Sequence, residues 1–386
     1  MTRLSDAPKV SVVTPSFNQG RFIRQAIDSV QAQTYPHIEH VVVDGGSTDE
    51  TLEILRSYGD RINWSSRPDA GQSDAINRGF AATRGEILAW LNTDDVYPRP
   101  DAVERAVDEL VRHPQTGLVF GRGVILDESG AETGPFVELE PFNLWRLLYM
   151  LDTILQPATF FRRSAFEAVG GLDLELHYAM DWDLWLRLVA HAEVRFIDHV
   201  LGGSREYGDT KTATGGWRRI RELGRLMRHH TGRRWTPGVR LYALDTLRLQ
   251  LRAQLPALAG RIDSLIAFAS RRILEGVPVH ADGWLGPRSH LVVPRRWPAF
   301  QVEFEVHRLP KQGPLVIELK AEGRRVGCFE AEQPGVVAYR CELPPVSAGP
   351  FVRIDVQANV AFRTLQDRRL LAVRCLGLQS SPPAQS

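Results

Sequence analysis

Between residues 9 and 121, short apolar runs alternate with stretches whose apolar side chains recur every three or four positions. Residues 10–14 predict a strand, and Phe22, Ile23, Ala26, Ile27 and Val30 follow at helical spacing. Val41, Val42 and Val43 predict a second strand running into Asp44-Gly45-Gly46. Beyond it, Ser47 or Thr48 can cap a helix carrying Leu52, Ile54 and Leu55. A weaker strand is expected at 62–65, a helix at 73–82, a buried strand at 87–91 and, past Pro98 and Pro100, a helix at 101–111. Strands separated by helices form βαβ units in a largely parallel sheet with right-handed crossovers. Ligands of such sheets sit at the carboxyl ends of strands. Asp44 and the pair Asp94/Asp95 fall at two of those ends.

From 117 to 216 the pattern mixes short strands at 118–120, 158–161 and 194–197 with one emphatic helix at 181–189. Residues 217–274 change character. Leu244, Leu247, Leu251, Leu255, Leu258, Ile262, Leu265 and Ile273 recur roughly as helices require, and thirteen arginines stand against Glu222, Asp245 and Asp263. The whole-chain net charge of +1 conceals this basic segment. After residue 276 the period becomes two. Phe300, Val302, Phe304 and Val306 alternate with Gln301, Glu303, Glu305 and His307, and similar runs at 315–320, 326–329, 336–343, 352–356 and 370–378 predict a separate antiparallel β-sandwich. The polar end from Ser380 is expected to be disordered. The expected organisation is an α/β domain over 1–216, a basic amphipathic helical segment over 217–275, a β-sandwich over 276–379 and a tail at 380–386. A chain of 386 residues suits several domains of ~150 each.

Composition removes several classes. A hydrophobic share of 43% with 24% charged residues excludes wholesale disorder and fibrous repeats. No uncharged apolar run approaches the ~18 residues of a spanning helix, and the best stretch, 142–155, is interrupted by Arg146 and Asp152. The first nine residues do not resemble a signal peptide, and three late cysteines without CxxC spacing argue against a disulfide framework or zinc site. The expectation is a cytoplasmic protein. No P-loop is present, and Gly45-Gly46 lacks the GxGxxG spacing of a dinucleotide site.

What remains is a set of carboxylates at strand ends. Asp94 and Asp95 can supply oxygens to a hard divalent cation that leaves positions open for phosphates, or they can cap the following turn; spacing leaves both open. Asp44 can accept from a base or ribose, though local chemistry favours an Asx turn before Gly45. Asp183 has Arg187 at i+4 and reads as an ordinary surface pair. Asp181 has Leu184 and Trp185 there instead. Desolvation beside Trp and Met would raise its pKa toward that of a general base, a helix N-terminus would lower it, and a plain N-cap is the alternative.

Taken in order, several stretches resemble family 2 glycosyltransferases with the GT-A fold. They are residues 10–18, Asp44-Gly-Gly-Ser-Thr-Asp-Glu-Thr51, Asp69-Ala-Gly-Gln-Ser-Asp-Ala-Ile-Asn-Arg-Gly79, Arg84-Gly85 and Asn92-Thr-Asp-Asp95. Gln156-Pro-Ala-Thr-Phe-Phe161, Gly170-Gly-Leu-Asp173 and Asp181-Trp-Asp-Leu-Trp185 continue the match, which covers roughly 9–216. The resemblance implies inverting transfer from a nucleotide-sugar donor. Pro15 and Asn18 would lie beside the nucleotide, Asp44 would contact the base, and Asp69 would belong to the same donor site. Asp94 would face the ribose and diphosphate, Asp95 would hold Mg²⁺ or Mn²⁺ (with Asp94 alongside), and Asp181 would take the acceptor's proton. Two departures stand out. Asn92 occupies a position where many relatives carry an acid, and the segment after the base has Arg205 and Lys211 but no histidine. Either cation could neutralise the leaving diphosphate, or be ordinary surface charge; the sequence leaves both open.

The basic helices can bury their leucines, dock on an anionic membrane surface or bind nucleic acid. The last is expected least, since no recognition motif accompanies the charge, and core packing is favoured over membrane contact. The resemblance makes a saccharide or lipid-linked saccharide the expected acceptor, with the protein cytoplasmic or peripheral on the inner membrane face. Trp284, Trp297, Tyr339 and Phe351 of the sandwich are candidate sugar-stacking platforms, with core packing favoured. The rival functions are a non-catalytic carbohydrate-binding or scaffold protein and a nucleotidyltransferase.

Overall fold

A computed structural model describes residues 7–136, 143–277, 279–280, 282–345, 349–361 and 371–381. The chain divides into two compact units, one within Met1–Phe142 and Asp152–Glu222, the other within Asn143–Leu151 and Leu223–Ser386.

The first unit begins as the apolar pattern dictates. β1 (Val10–Ser16) is buried throughout, and α1 (Gly20–Gln31) turns Phe22, Ile23, Ala26, Ile27 and Val30 inward. β2 (Ile38–Asp44), α2 (Thr51–Ser57), β3 (Asn63–Ser66), α3 (Gln72–Ala82), β4 (Ile87–Trp90) and α4 (Ala102–Arg112) follow. Neither Ser47 nor Thr48 caps α2. Ser47 is drawn to Asp44, and Asp49 Oδ1 instead accepts from Thr51 N at 3.1 Å. β5 (Thr116–Leu126) and β6 (Glu132–Pro135) precede α5 (Leu144–Tyr149), which belongs to the second unit. β7 (Thr159–Arg162), α6 (Arg163–Ala168), α7 (Met180–His191), β8 (Glu193–Arg205), α8 (Lys211–Thr214) and the start of α9 (Gly216–Thr231), whose residues from Leu223 on belong to the second unit, complete the run.

Eight strands form one mixed sheet in the order β3-β2-β1-β4-β7-β5-β6, with β8 pairing β5. β1 lies parallel to β2 and β4, with Ser16 opposite Asp44 and Val13 opposite both Val41 and Trp90. β7 runs antiparallel between β4 and β5. β5 and β8 extend well past their apolar cores because glycines carry them on. A Cβ at Gly202 would collide with the backbone of Pro157 and Ala158, so β8 can run close to that segment only without one. On one side of the sheet an aromatic cluster joins Phe80, Trp90, Phe161, Phe166 and Trp185, with Trp90 and Trp185 stacked at 5.5 Å.

In the second unit α10 (Pro237–Gln254) and α11 (Ala259–Glu275) pair as a hairpin, tied by Arg252 to Asp263 at 3.0 Å. The expectation that their leucines pack inward holds only in part: Leu244, Leu247, Leu251 and Ile273 are half-buried and Ile262 is buried, while Leu255, Leu258 and Leu265 are exposed. Only Gly238 and Val239 of α10 and Ile262 of α11 are buried, because a two-helix hairpin covers one side of each helix. β9 (Trp284–Leu285), β10 (Arg288–Pro294), β11 (Ala299–Val306), β12 (Leu315–Ala321), β13 (Arg324–Ala331), β14 (Gly335–Glu342), β15 (Phe351–Ala358) and β16 (Val373–Ser381) form two antiparallel four-stranded sheets, β10-β15-β12-β13 and β14-β11-β16-β9. Phe300, Val302, Phe304, Ile317, Leu319 and Ile354 fill the core, alternating with solvent-facing residues. Trp284, Trp297, Tyr339 and Phe351 are half-buried and outside that core. Strand pairing reaches Ser381, two residues into the expected tail; 382–386 lie outside the described residues.

Candidate active site

The carboxyl ends of β1 and β2 carry the first group of expected residues. Pro15 is buried within β1, opposite Val43. Asn18 follows with φ 51°, a left-handed conformation that asparagine tolerates, and its Oδ1 accepts from Thr48 N at 2.8 Å. Asp44 is fully buried. Its carboxylate accepts from Gly46 N (3.1 Å), Ser47 N (2.9 Å), Ser66 Oγ (2.6 Å) and the Ser47 hydroxyl. The Asx turn is therefore formed, and most of this carboxylate's acceptor capacity is spent on it. Asp69 lies against Gly45, where a Cβ would stand 2.7 Å from its Oδ2, and accepts from Gly71 N at 2.9 Å.

The second group lies past β4. Neither Asp94 nor Asp95 caps the following turn with its side chain. Asp94 Oδ2 accepts from Tyr207 Oη at 3.0 Å, while Asp95, 3% exposed, accepts from Asn92 Nδ2 at 2.9 Å and from the Ser204 hydroxyl. Burial raises the pKa of Asp94, and burial together with the Asp94 charge pushes Asp95 up to about 8. Arg205 does not answer these charges through direct ion pairs. It is 2% exposed and donates to the carbonyls of Asp94 (3.1 Å), Asp127 (3.0 Å) and Glu128 (2.9 Å) and to Gln25 Oε1 (2.6 Å). Its guanidinium is a strut for the surrounding loops. Adjacent buried carboxylates short of positive charge are a donor set that suits a hard divalent cation. Among the described residues no three His, Cys, Asp or Glu side chains group as a metal-holding set, so other ligands would have to come from water or substrate.

Asp181 occupies the first turn of α7, one residue inside rather than at the N-cap, which is Ala179. One turn on, Trp185 stacks on Trp90 of β4 and so fixes α7 against the strand leading to Asp94. Burial raises the Asp181 pKa, opposed by the Trp182 N–H and by the charges of Lys211 and Arg219. A second carboxyl, Asp152, faces it, and burial with the Asp181 charge holds Asp152 well above the usual range. The Asp183–Arg187 pair is not a surface pair: Asp183 is buried, with Nε to Oδ2 at 2.7 Å.

Lys211, partly buried at the start of α8, links the groups. Its Nζ donates to Gln72 Oε1 (2.8 Å), Gln72 Nε2 donates to Asn92 Oδ1 (2.7 Å), and Asn92 Nδ2 donates to Asp95 and to Gln156 Oε1 (3.0 Å). A directed chain of hydrogen bonds thus runs from the cation near Asp181 to the carboxylate of Asp95. The sequence did not single out Gln72, Gln156, Tyr207 or Asp152 for this site. It also counted Glu222 only among the acids of the basic segment. Buried Glu222 Oε1 accepts from the N–H groups of His177 (3.0 Å), Tyr178 (2.6 Å) and Ala179 (2.9 Å), fixing the turn that leads to Asp181. A lone acid in a strongly basic helix was the only available signal.

A family model described as glycosyl transferase family 2 matches residues 11–170. An uncharacterized glycosyltransferase of Mycobacterium tuberculosis is 35% identical over 204 residues, 51% of this chain and 75% of that protein. A PGL/p-HBAD biosynthesis glycosyltransferase of Mycobacterium bovis is 32% identical over 208 residues, 52% of this chain and 78% of that protein. Among solved structures, a mannosyltransferase from Pyrobaculum calidifontis in complex with GDP-Man and Mn²⁺ is similar with TM-score 0.46 at 21% identity, covering 69% of this chain and 81% of that one.

Proposed function

This chain belongs to glycosyl transferase family 2, and from that premise we propose that it moves a sugar, with inversion, from a nucleotide-sugar donor to an acceptor hydroxyl. The observation that carries the reading is the pairing of two carboxylate centres within one unit, Asp94/Asp95 past β4 and Asp181 on α7, linked by Lys211, Gln72 and Asn92. The nucleotide would rest along Pro15, Asn18, Asp44 and Asp69. Its diphosphate would lie at Asp94 and Asp95, which would also hold Mg²⁺ or Mn²⁺; the ion would supply charge neutralisation for the leaving group. Asp181, its basicity raised by burial, takes the acceptor's proton as that oxygen bonds to the anomeric carbon. The bond from that carbon to the diphosphate breaks on the opposite face, releasing the nucleoside diphosphate. Lys211 keeps a positive charge beside the base and, through Gln72 and Asn92, orients the donor-side acid; Arg205 holds the loops around it.

The Mycobacterium bovis relative is named for PGL/p-HBAD biosynthesis, which favours cell-surface glycolipid or polysaccharide synthesis, with a saccharide or lipid-linked acceptor. The test is thermal stabilisation by UDP, GDP and dTDP, with and without Mn²⁺ or Mg²⁺, in wild type and Asp95→Ala. Metal-dependent stabilisation by one nucleotide, lost in the variant, is the expected result. With the matching sugar nucleotide, Asp181→Asn should keep donor binding and lose about a thousandfold in kcat. Full turnover in Asp181→Asn would remove the assigned base.

A further inference from the structure

The helical hairpin of the second unit turns large apolar side chains to solvent. Leu249, Leu255 and Leu258 at and beside its turn are 53%, 46% and 41% exposed, and Leu265 and Phe268 of α11 are 68% and 62% exposed. On α11 the exposure is patterned. Arg261, Leu265, Phe268 and Arg272 stand at i, i+4, i+7 and i+11, which places two apolar side chains between two arginines on one stripe of the helix. The Arg272 guanidinium lies 5.6 Å over the Phe268 ring. A contiguous exposed patch of this kind marks an interaction surface.

Its charge indicates what covers it. Residues 217–274 contain thirteen arginines, no lysine and three acids. Each of these acids is already engaged, Glu222 by the N–H groups of 177–179, Asp245 by Arg248 at 2.7 Å and Asp263 by Arg252 at 3.0 Å; Glu275, which closes α11, lies 3.9 Å from Arg272 in an exposed pair. A second copy of this surface would bring arginine against arginine. An anionic bilayer offers both hydrocarbon for Leu265 and Phe268 and phosphate oxygens for guanidinium forks. No helix among the described residues is long and apolar enough to cross a membrane, so such contact is interfacial. We propose that the exposed stripe of α11 docks on an anionic lipid surface, Leu265 and Phe268 entering the acyl boundary while Arg261 and Arg272 engage lipid phosphates. This docking surface stands independently of the transferase reading.

The full chain is tested by flotation with vesicles of phosphatidylcholine plus phosphatidylglycerol and with phosphatidylcholine alone. Wild type should float with the anionic vesicles only and come off as salt rises. Leu265→Glu with Phe268→Glu should weaken vesicle affinity by about tenfold or more, and Arg261→Gln with Arg272→Gln by about fivefold for each charge removed. Both pairs change exposed positions, and thermal unfolding with circular dichroism checks that each folds. Equal binding to both vesicle types overturns the proposal, as does unchanged flotation of the apolar pair. A wild-type dimer in sedimentation that the apolar pair reduces to monomer would assign the face to a second copy instead.

Discussion

Asn92 does what an aspartate in its place could not. It donates to Asp95 Oδ2 and to Gln156 Oε1 while accepting from Gln72, so its amide orientation is fixed. A carboxylate there would accept only and would set three acids side by side. Because Gln72 and Asn92 act in series, Gln72→Ala and Asn92→Ala should each lower kcat/KM by about tenfold, and the double variant should be little worse than either. Full additivity in that double-mutant cycle would show that the chain does not act as one unit. The strand-end acids of the candidate site, Asp44, Asp94 and Asp95, were legible in the sequence because charge at a strand end is conspicuous, whereas Asp152 was not. The neutral amides joining them were not, since a glutamine carries no charge to betray its partner. Arg205 shows the converse difficulty. Its charge was visible, but only folding reveals that its donors are spent on backbone carbonyls.

At the scale of elements, the lead-in to α7 is held from α9. Glu222 collects three successive backbone N–H groups, those of His177, Tyr178 and Ala179. Glu222→Ala should leave those donors unpaired, lower stability by about 3 kcal/mol and reduce kcat by displacing Asp181. Glu222→Gln keeps an acceptor oxygen and should recover most of both losses; chemical denaturation and turnover on the same three proteins check this. Recovery of stability without turnover would limit Glu222 to a structural role. The order of strands and helices through α4 followed from apolar spacing, with ends displaced by up to three residues, as at β2, which begins at Ile38. The far halves of β5 and β8 did not, because Gly121, Gly123, Gly202 and Gly203 interrupt the apolar pattern; backbone comes close at Gly121 and Gly202, and side chains fill the space at Gly123 and Gly203. The hairpin's leucines misled in part, since Leu255, Leu258 and Leu265 are exposed while Leu244, Leu247 and Leu251 are half-buried. Helical periodicity reveals a shared stripe but not whether anything covers it.

Across the whole molecule, two buried histidines are held neutral, His40 in the first unit and His290 in the second. His40 lies 2.9 Å from Thr14 Oγ1, and His290 Nε2 is 2.9 Å from Trp145 Nε1, which can only donate. Burial lowers both pKa values to about 4; Arg353 and Arg233 push His290 further down while Asp355 opposes them. The unfolded chain takes up protons nearer 6.5, so these residues contribute their full stability above that pH and lose it as pH falls toward 4. Thermal and denaturant unfolding should therefore show stability declining by up to about 1.4 kcal/mol per pH unit for each histidine across that window. Replacing His290 by Gln should flatten the decline for the second unit, and an unchanged slope would show that His290 does not titrate this way.

The Trp145–His290 contact spans 145 residues, because α5 is encoded amid first-unit sequence yet packs with β10 of the second unit. On the ribosome, α5 is made about 140 residues before β10, a delay on the order of ten seconds at ordinary elongation rates. Until then Trp145, Leu147 and Leu148, all buried in the finished protein, have no sandwich to cover them. The nascent chain therefore carries an apolar helix that must be kept from misassociation until the last third of the protein is made. A protein truncated at residue 216 would remain at that stage permanently.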